Sequence, residues 1–322
     1  MVEIIRREDV RPPWAGIAHT FGTELKGASS EEAIKAAGLD WTVEKRPIYL
    51  EGTDGQALEI PNKKALVRTD TLDTLSIVTN KYEPHQNIDS FRWMDKLVSD
   101  GLMTYEVAGR VGKGQKIWML GKIGSSEVIK DELMNQYLLL VNPHDGNSWR
   151  ALFTSVRAIC CNMIAWAMRE KIGDMFSFRH TGNIEAKLEE AQVIMSAAKE
   201  KFAAYDHFIQ MTNRIQMDSA KMTDFVKYLF PEPKDIEKHK KTEARRETKR
   251  QDIIQLFENG IGQDNPAIRG TGWAAYNAVT EYVNHHRPVR NKEMAAERRF
   301  NNVAFGQNVL VQKATQFLLE AA

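Results

Sequence analysis

Cysteine is nearly absent from this chain. The 322 residues contain two, Cys160 and Cys161, and they are adjacent, so no disulfide framework can be built from them. Long apolar runs are missing too. Tyr137-Leu138-Leu139-Leu140-Val141 is typical of the longest, against the roughly 18 residues a membrane-spanning helix needs. The chain also lacks an excess of one charge: 44 Lys and Arg against 43 Asp and Glu leave a formal net charge of +1, unlike a binder that works through bulk positive charge. Residues 1–10 mix acids and bases rather than setting a basic stretch ahead of an apolar one, so no secretory leader is expected. No HExxH, paired CxxC, Rossmann glycine fingerprint or complete phosphate-binding P-loop occurs, so the sequence supports no cofactor and no ATP-driven chemistry. The expectation is a soluble protein of a reducing cytoplasm.

A globular fold is expected from the 43% hydrophobic content, which is too high for a disordered chain. The fold class read from the pattern is α+β, with an N-terminal core of mixed sheet and helix over residues 1–182 and a mostly helical region over 183–322. Ser29-Ser30-Glu31-Glu32 fits a capping box ahead of a helix. Trp41 to Leu50 reads as a strand before a Gly52-Thr53-Asp54-Gly55 turn, and 65–68 and 75–78 read as short strands. Asn87 to about Asp100 is predicted helical, with Ile88, Phe91, Met94, Leu97 and Val98 on one face. Met103–Val111 and Lys116–Ile123 flank Gly112-Lys113-Gly114, which predicts a hairpin. Gln136–Val141 and Trp149–Val156 form a second pair around an Asp145-Gly146 turn. A helix capped by Asn162 is expected next. Long helical patterns cover 183–215 and 218–230, and apolar spacing returns at Trp273, Tyr276, Val279, Tyr282 and Val283 and again from 303 to 319. Between them, residues 234–250 hold eight basic and four acidic residues and read as a solvated helix or a mobile segment.

Four constellations could carry chemistry. In the first hairpin Arg110, Lys113, Lys116 and Lys122 surround Trp118 with one acid, Glu106, among them. Bases of an unpaired strand stack on an aromatic ring while phosphates meet the cations; the competing reading is a core tryptophan between solvated lysines. Arg150, Arg157 and Arg179 supply forked donors suited to phosphate oxygens if their strands are neighbours, or structural ion pairs if acids reach them. His144 and Asp145 in a turn, with His180, are the residues a metal-dependent nuclease would use. Cys160-Cys161 with Asn162 and His180 contains the residue types of a thiol nucleophile site, but lacks a glycine-flanked nucleophile turn.

Several stretches carry a family resemblance: Asn142-Pro143-His144-Asp145-Gly146-Asn147-Ser148-Trp149-Arg150, then 154–162 (Thr-Ser-Val-Arg-Ala-Ile-Cys-Cys-Asn), Gly55-Gln56-Ala57-Leu58, Phe178-Arg179-His180-Thr181 and Gly272-Trp273 to Val283. They resemble the phage- and plasmid-encoded family of domain of unknown function 932, over most of residues 40–315. The second cysteine and Met163 depart from the family's usual small-residue-Asn-Thr ending at that point. The resemblance implies a mobile element in a bacterial host cytoplasm; it implies no catalytic residue, because the family's activity is itself unknown.

The function expected from these readings is nucleic-acid binding without catalysis, most concretely single-strand DNA binding or annealing in recombination or replication. Arg110, Lys113, Lys116, Trp118, Arg150, Arg157 and Arg179 are its expected contacts. Annealing requires a local basic groove, often repeated around a homo-oligomer, and no cofactor. The competing expectations are the metal-dependent nuclease of His144, Asp145 and His180, and a protein-binding inhibitor of a host defence or replication system that uses the charged 234–250 segment and the long helices. No membrane partner is expected.

Overall fold

The computed structural model describes residues 18–20, 29–92, 94–146, 149–157, 162–164, 175–178, 184–288 and 308–322. Ten strands and eight α-helices are assigned among them. The strands are β1 (Ala18–Thr20), β2 (Val43–Glu51), β3 (Ala57–Arg68), β4 (Thr74–Thr79), β5 (Thr104–Val111), β6 (Lys116–Ile129), β7 (Glu132–Pro143), β8 (Trp149–Arg157), β9 (Asn162–Ile164) and β10 (Met175–Phe178). The helices are α1 (Ser30–Ala36), α2 (Asn87–Arg92), α3 (Asp95–Ser99), α4 (Ile184–Arg214), α5 (Ser219–Leu229), α6 (Lys240–Asn259), α7 (Gly272–Glu281) and α8 (Val309–Glu320), with a π-helical turn at Tyr282–His286. The class is α+β, as the pattern predicts.

An antiparallel meander of β5, β6, β7 and β8 forms the centre of a seven-stranded sheet; β1 pairs with β5, and β9 and β10 pair with β8. Alternation sends Ile117 and Met119 into the larger apolar cluster and Trp118 and Leu120 into a second one. Both faces are buried, so Leu138 to Val141 are all apolar and all inaccessible. Strand β6 is longer than the sequence reading, reaching Ile129 rather than Ile123, and turns into β7 at residues 130 and 131. Its polar Gly124-Ser125-Ser126 stretch lies where the sheet extends past the core, so Ser126 donates to Asp206 of α4 (2.9 Å) instead of burying an apolar group.

A second, three-stranded sheet runs in the order β2-β3-β4. Val43, Leu66, Leu75 and Val78 join the larger cluster from it. Helices α1 to α3 bind the two sheets through buried polar groups. Ser29 closes the expected capping box with Glu32. The Asn87 amide donates to the carbonyls of Leu39 (2.8 Å) and Trp41 (3.1 Å). Asp95 accepts from the Ser30 amide (2.6 Å) and the Tyr105 hydroxyl (2.9 Å), and burial followed by the neighbouring Asp95 charge pushes that phenol well above its ordinary range.

The predicted helix at Asn162 is instead strand β9, whose partner positions run from Ser155↔Ile164 to Arg157↔Asn162. Pairing with the end of β8 satisfies backbone donors and acceptors that a helix start would leave open, and this long-range demand outweighs the local cap signal. The compositional change near residue 182 marks the passage from strands to helices, and the apolar core continues through it: Leu138, Phe153, Phe202, Phe208, Trp273 and Leu318 belong to one cluster.

One turn is held by packing as well as by backbone conformation. Gly114 has φ +118°, and a Cβ there would lie 2.8 Å from the Trp41 ring. Gly146 has φ +84° with open space around it. Gly146→Ala is expected to cost about 1 kcal/mol from backbone strain alone, whereas Gly114→Ala adds an overpacking cost of roughly 1–3 kcal/mol. Urea unfolding midpoints of the two variants check this; equal losses would contradict it.

Candidate nucleic-acid interface

The glycine hairpin forms where expected, but its charges are committed locally. Lys113 places its ammonium 2.6 Å from Asp73 Oδ1, and this hydrogen bond holds the Asp73 carboxyl below the usual carboxylate range. Lys116 stands 3.3 Å from Asp145. Arg110 turns back to donate to the Gly112 carbonyl (2.5 Å). The neighbouring Arg68 lies 4.2 Å above the Trp41 ring, grips Asp70 through two donors (2.9 and 2.6 Å) and donates to the Lys113 carbonyl (2.8 Å). These contacts fasten the turn to the second sheet. Trp118 is 0% exposed and packs with Val107, Leu120 and Val141 inside the sheet. The expectation of a base stacked on Trp118 is therefore corrected: a two-sided sheet needs bulk at that position, and the ring supplies it. Arg150 is half-buried on β8, in register with Val141 and Ser177.

Arg157 also requires correction. It is 0% exposed, and its guanidinium forms a fork on Glu132: Nε donates to Oε2 (2.6 Å) and Nη2 to Oε1 (2.5 Å). The remaining donors reach the carbonyls of Ile261 (2.8 Å) and Gly262 (3.3 Å). Glu132 accepts in addition from Trp273 Nε1 (3.4 Å) and Asn265 Nδ2 (3.3 Å). Of the two readings open for this arginine, the structural ion pair is the one realised. Glu132 went unremarked in the sequence, although a cation at the end of a strand buried on both faces calls for a carboxylate partner.

His144 is buried, with Nε2 2.8 Å from Asn87 Oδ1 and its ring against Trp41 at 5.6 Å between centroids. Its backbone bonds to Gln115 and Ser76. It therefore joins the two sheets, and Asp145 faces Lys116. Among the described residues no group of three or more His, Cys, Asp or Glu side chains is placed to hold a metal ion, and no helix is long and apolar enough to cross a membrane. Arg179, His180, Cys160 and Cys161 lie outside the described residues.

The basic surface lies elsewhere, at residues 234–250. The first half of α6 is exposed, and its second half buries Ile253 and Leu256. Here the four acids are all taken. Asp235 faces Lys238 (3.2 Å) and Glu237 faces Lys240 (2.7 Å). Glu243 (2.5 Å) and Glu247 (2.9 Å) converge on the buried Arg250, which also donates to the Phe230 carbonyl at 3.0 and 2.6 Å and so ties α5 to α6. Lys234, Lys241 and Arg245 remain exposed with no acid in ion-pair contact among the described residues. Lys241, Arg245 and Lys249 recur every four residues, one above the next at about 6 Å intervals on one helix face.

The family model for a domain of unknown function, DUF932, matches residues 74–304. The chain belongs to the DUF932 family. No curated protein and no solved structure matches it. The DUF932 match runs from β4 through α7, and so contains Glu132, Arg157, His144 and the basic segment; the β2–β3 hairpin lies outside it.

The buried fork generates a stability prediction. Arg157→Met is expected to cost about 3–5 kcal/mol, because it leaves Glu132 charged and uncompensated in the core. Adding Glu132→Leu should recover part of that loss, which denaturant titration of the single and double variants would measure. Additive losses would contradict the reading.

Proposed function

We propose that this chain is a non-enzymatic nucleic-acid-binding protein that holds a phosphate backbone against the exposed face of residues 234–250. The setting we propose is single-strand DNA binding or annealing, in recombination or replication of a phage or plasmid in a bacterial cytoplasm. The observation that carries this reading is the excess of cations on that face: eight bases and four acids, with every acid already paired and Lys234, Lys241 and Arg245 left exposed. Lys241 and Arg245, one helical turn apart, can follow a polyanion, and each phosphate they neutralise releases condensed counterions. The near-zero net charge is compatible with this, because Lys113 and Lys116 of the glycine hairpin face Asp73 and Asp145 while Lys241 and Arg245 of the helix face no acid among the described residues.

Lys241→Ala with Arg245→Ala is expected to weaken binding of a single-stranded oligonucleotide and to flatten the slope of log affinity against log salt by about 0.7 for each lost contact. Lys113→Ala with Lys116→Ala should change that slope less, since both lysines already face acids. Filter binding across a salt series reads both. Unchanged isotherms for the helix variant would contradict the proposal.

A further inference from the structure

Buried polar groups are almost always hydrogen-bonded, and one seam of this protein departs from that rule. It runs between α7, with the π-turn that continues it, and the 260–263 turn. Asn277 on α7 is 1% exposed, yet neither its Oδ1 nor its Nδ2 has a hydrogen-bond partner among the described residues. Gln263 is equally buried; its Nε2 donates to the Ala274 carbonyl (2.9 Å), while its Oε1 is unbonded. Glu281 accepts from the Ile261 amide (2.9 Å) with Oε2, and its Oε1 is unbonded. His286 Nε2 stands 3.5 Å from that oxygen and makes no hydrogen bond to it. A buried group left unpaired is costly, and here four side chains leave such atoms along one seam.

Helix geometry gathers these residues. Asn277 and Glu281 are four apart, hence neighbours on one face of α7. Residues five apart on a regular α-helix lie about 140° apart around the axis, which would carry His286 away from Glu281. The π-turn, closed by the bond from the Arg287 amide to the Tyr282 carbonyl (2.7 Å), brings His286 back to the side of Glu281, and single π-turns are frequent at functional sites. The charge of the seam is also unbalanced. Glu132 shares its charge with Arg157, whereas the ion-pair contact of Glu281 among the described residues is His286 alone. A charge-assisted bond between imidazolium and carboxylate would close to about 2.7–2.9 Å. The observed 3.5 Å is instead close to the spacing of two ligands on one metal ion, about 3.4 Å for a tetrahedral pair each held at roughly 2.1 Å. A carboxylate oxygen, an imidazole nitrogen and amide oxygens together suit a divalent first-row transition ion.

We propose that Glu281 and His286, with the amide oxygens of Asn277 and Gln263, bind one divalent transition-metal ion inside the seam. The set holds a single imidazole and a single carboxylate, so it is distinct from a cluster of three His, Cys, Asp or Glu side chains. The proposal is independent of the nucleic-acid reading, since it uses none of the cations of α6. Full-length protein stripped with a chelator and then dialysed against Zn²⁺ or Mn²⁺ should retain about one ion per chain by elemental analysis, and should unfold at a higher temperature than the stripped protein by mass action. Glu281→Gln and His286→Gln should each weaken retention by at least about a hundredfold, the upper range for losing even an outer-shell partner of a metal site. Asn277→Asp supplies a second carboxylate, so it should lower the melting temperature of the stripped protein and enlarge the rise that metal produces. A wild type that retains no ion and melts at the same temperature with and without metal overturns the proposal. So does retention that survives both glutamine substitutions, or an Asn277→Asp variant whose melting temperature responds to metal no more than the wild type's.

Discussion

Two buried charges, Glu132 and Arg157, fix how the sheet meets the helices. Glu132 opens β7 and Arg157 closes β8, so the fork between them pins the far end of that strand pair. The same guanidinium captures the Ile261 and Gly262 carbonyls, and the Ile261 amide donates to buried Glu281 (2.9 Å) on α7. His286 in the π-turn stands 3.5 Å from the other oxygen of Glu281. Desolvating these groups is expensive, and the arrangement holds because the fork meets carbonyls, an indole and an amide as well as the opposite charge. What such a network supplies is position. It sets α7 against the sheet; α7 packs on the buried half of α6, and the exposed half of α6 carries the cations.

The distribution of charge follows the same division. Beside the sheets, cations are locked into structural contacts, with Arg68 over Trp41, Lys113 on Asp73 and Arg157 in the core. Along α6 the acids are drawn toward Arg250 or toward neighbouring lysines, and an uncancelled basic stripe remains outside. A total of +1 conceals this separation.

Local signals in the sequence were sufficient for much of the fold. Ser29 and Glu32 announce α1, Asp218 caps α5, and alternation around Trp118 gives the two faces of β6 correctly. The site was harder to read, because alternation says which residues share a face and not whether that face meets solvent. Trp118 and Lys116 stand on one face, yet only the lysine reaches the surface. Arg157 and Glu132 are 25 residues apart, and their partners on the Gly260 turn are a further hundred residues away, so no local pattern could reveal the pair. Asn162 failed as a helix cap for the same reason: the free edge of β8 is a tertiary fact.

The central claim is that nucleic acid lies along α6 rather than on the glycine hairpin. Photocrosslinking a single-stranded oligonucleotide to the intact protein and mapping the adducts by mass spectrometry tests it most directly. Adducts are predicted within 234–250, on peptides that contain Lys241 and Arg245; adducts confined to 110–118, or none at all, would contradict the account.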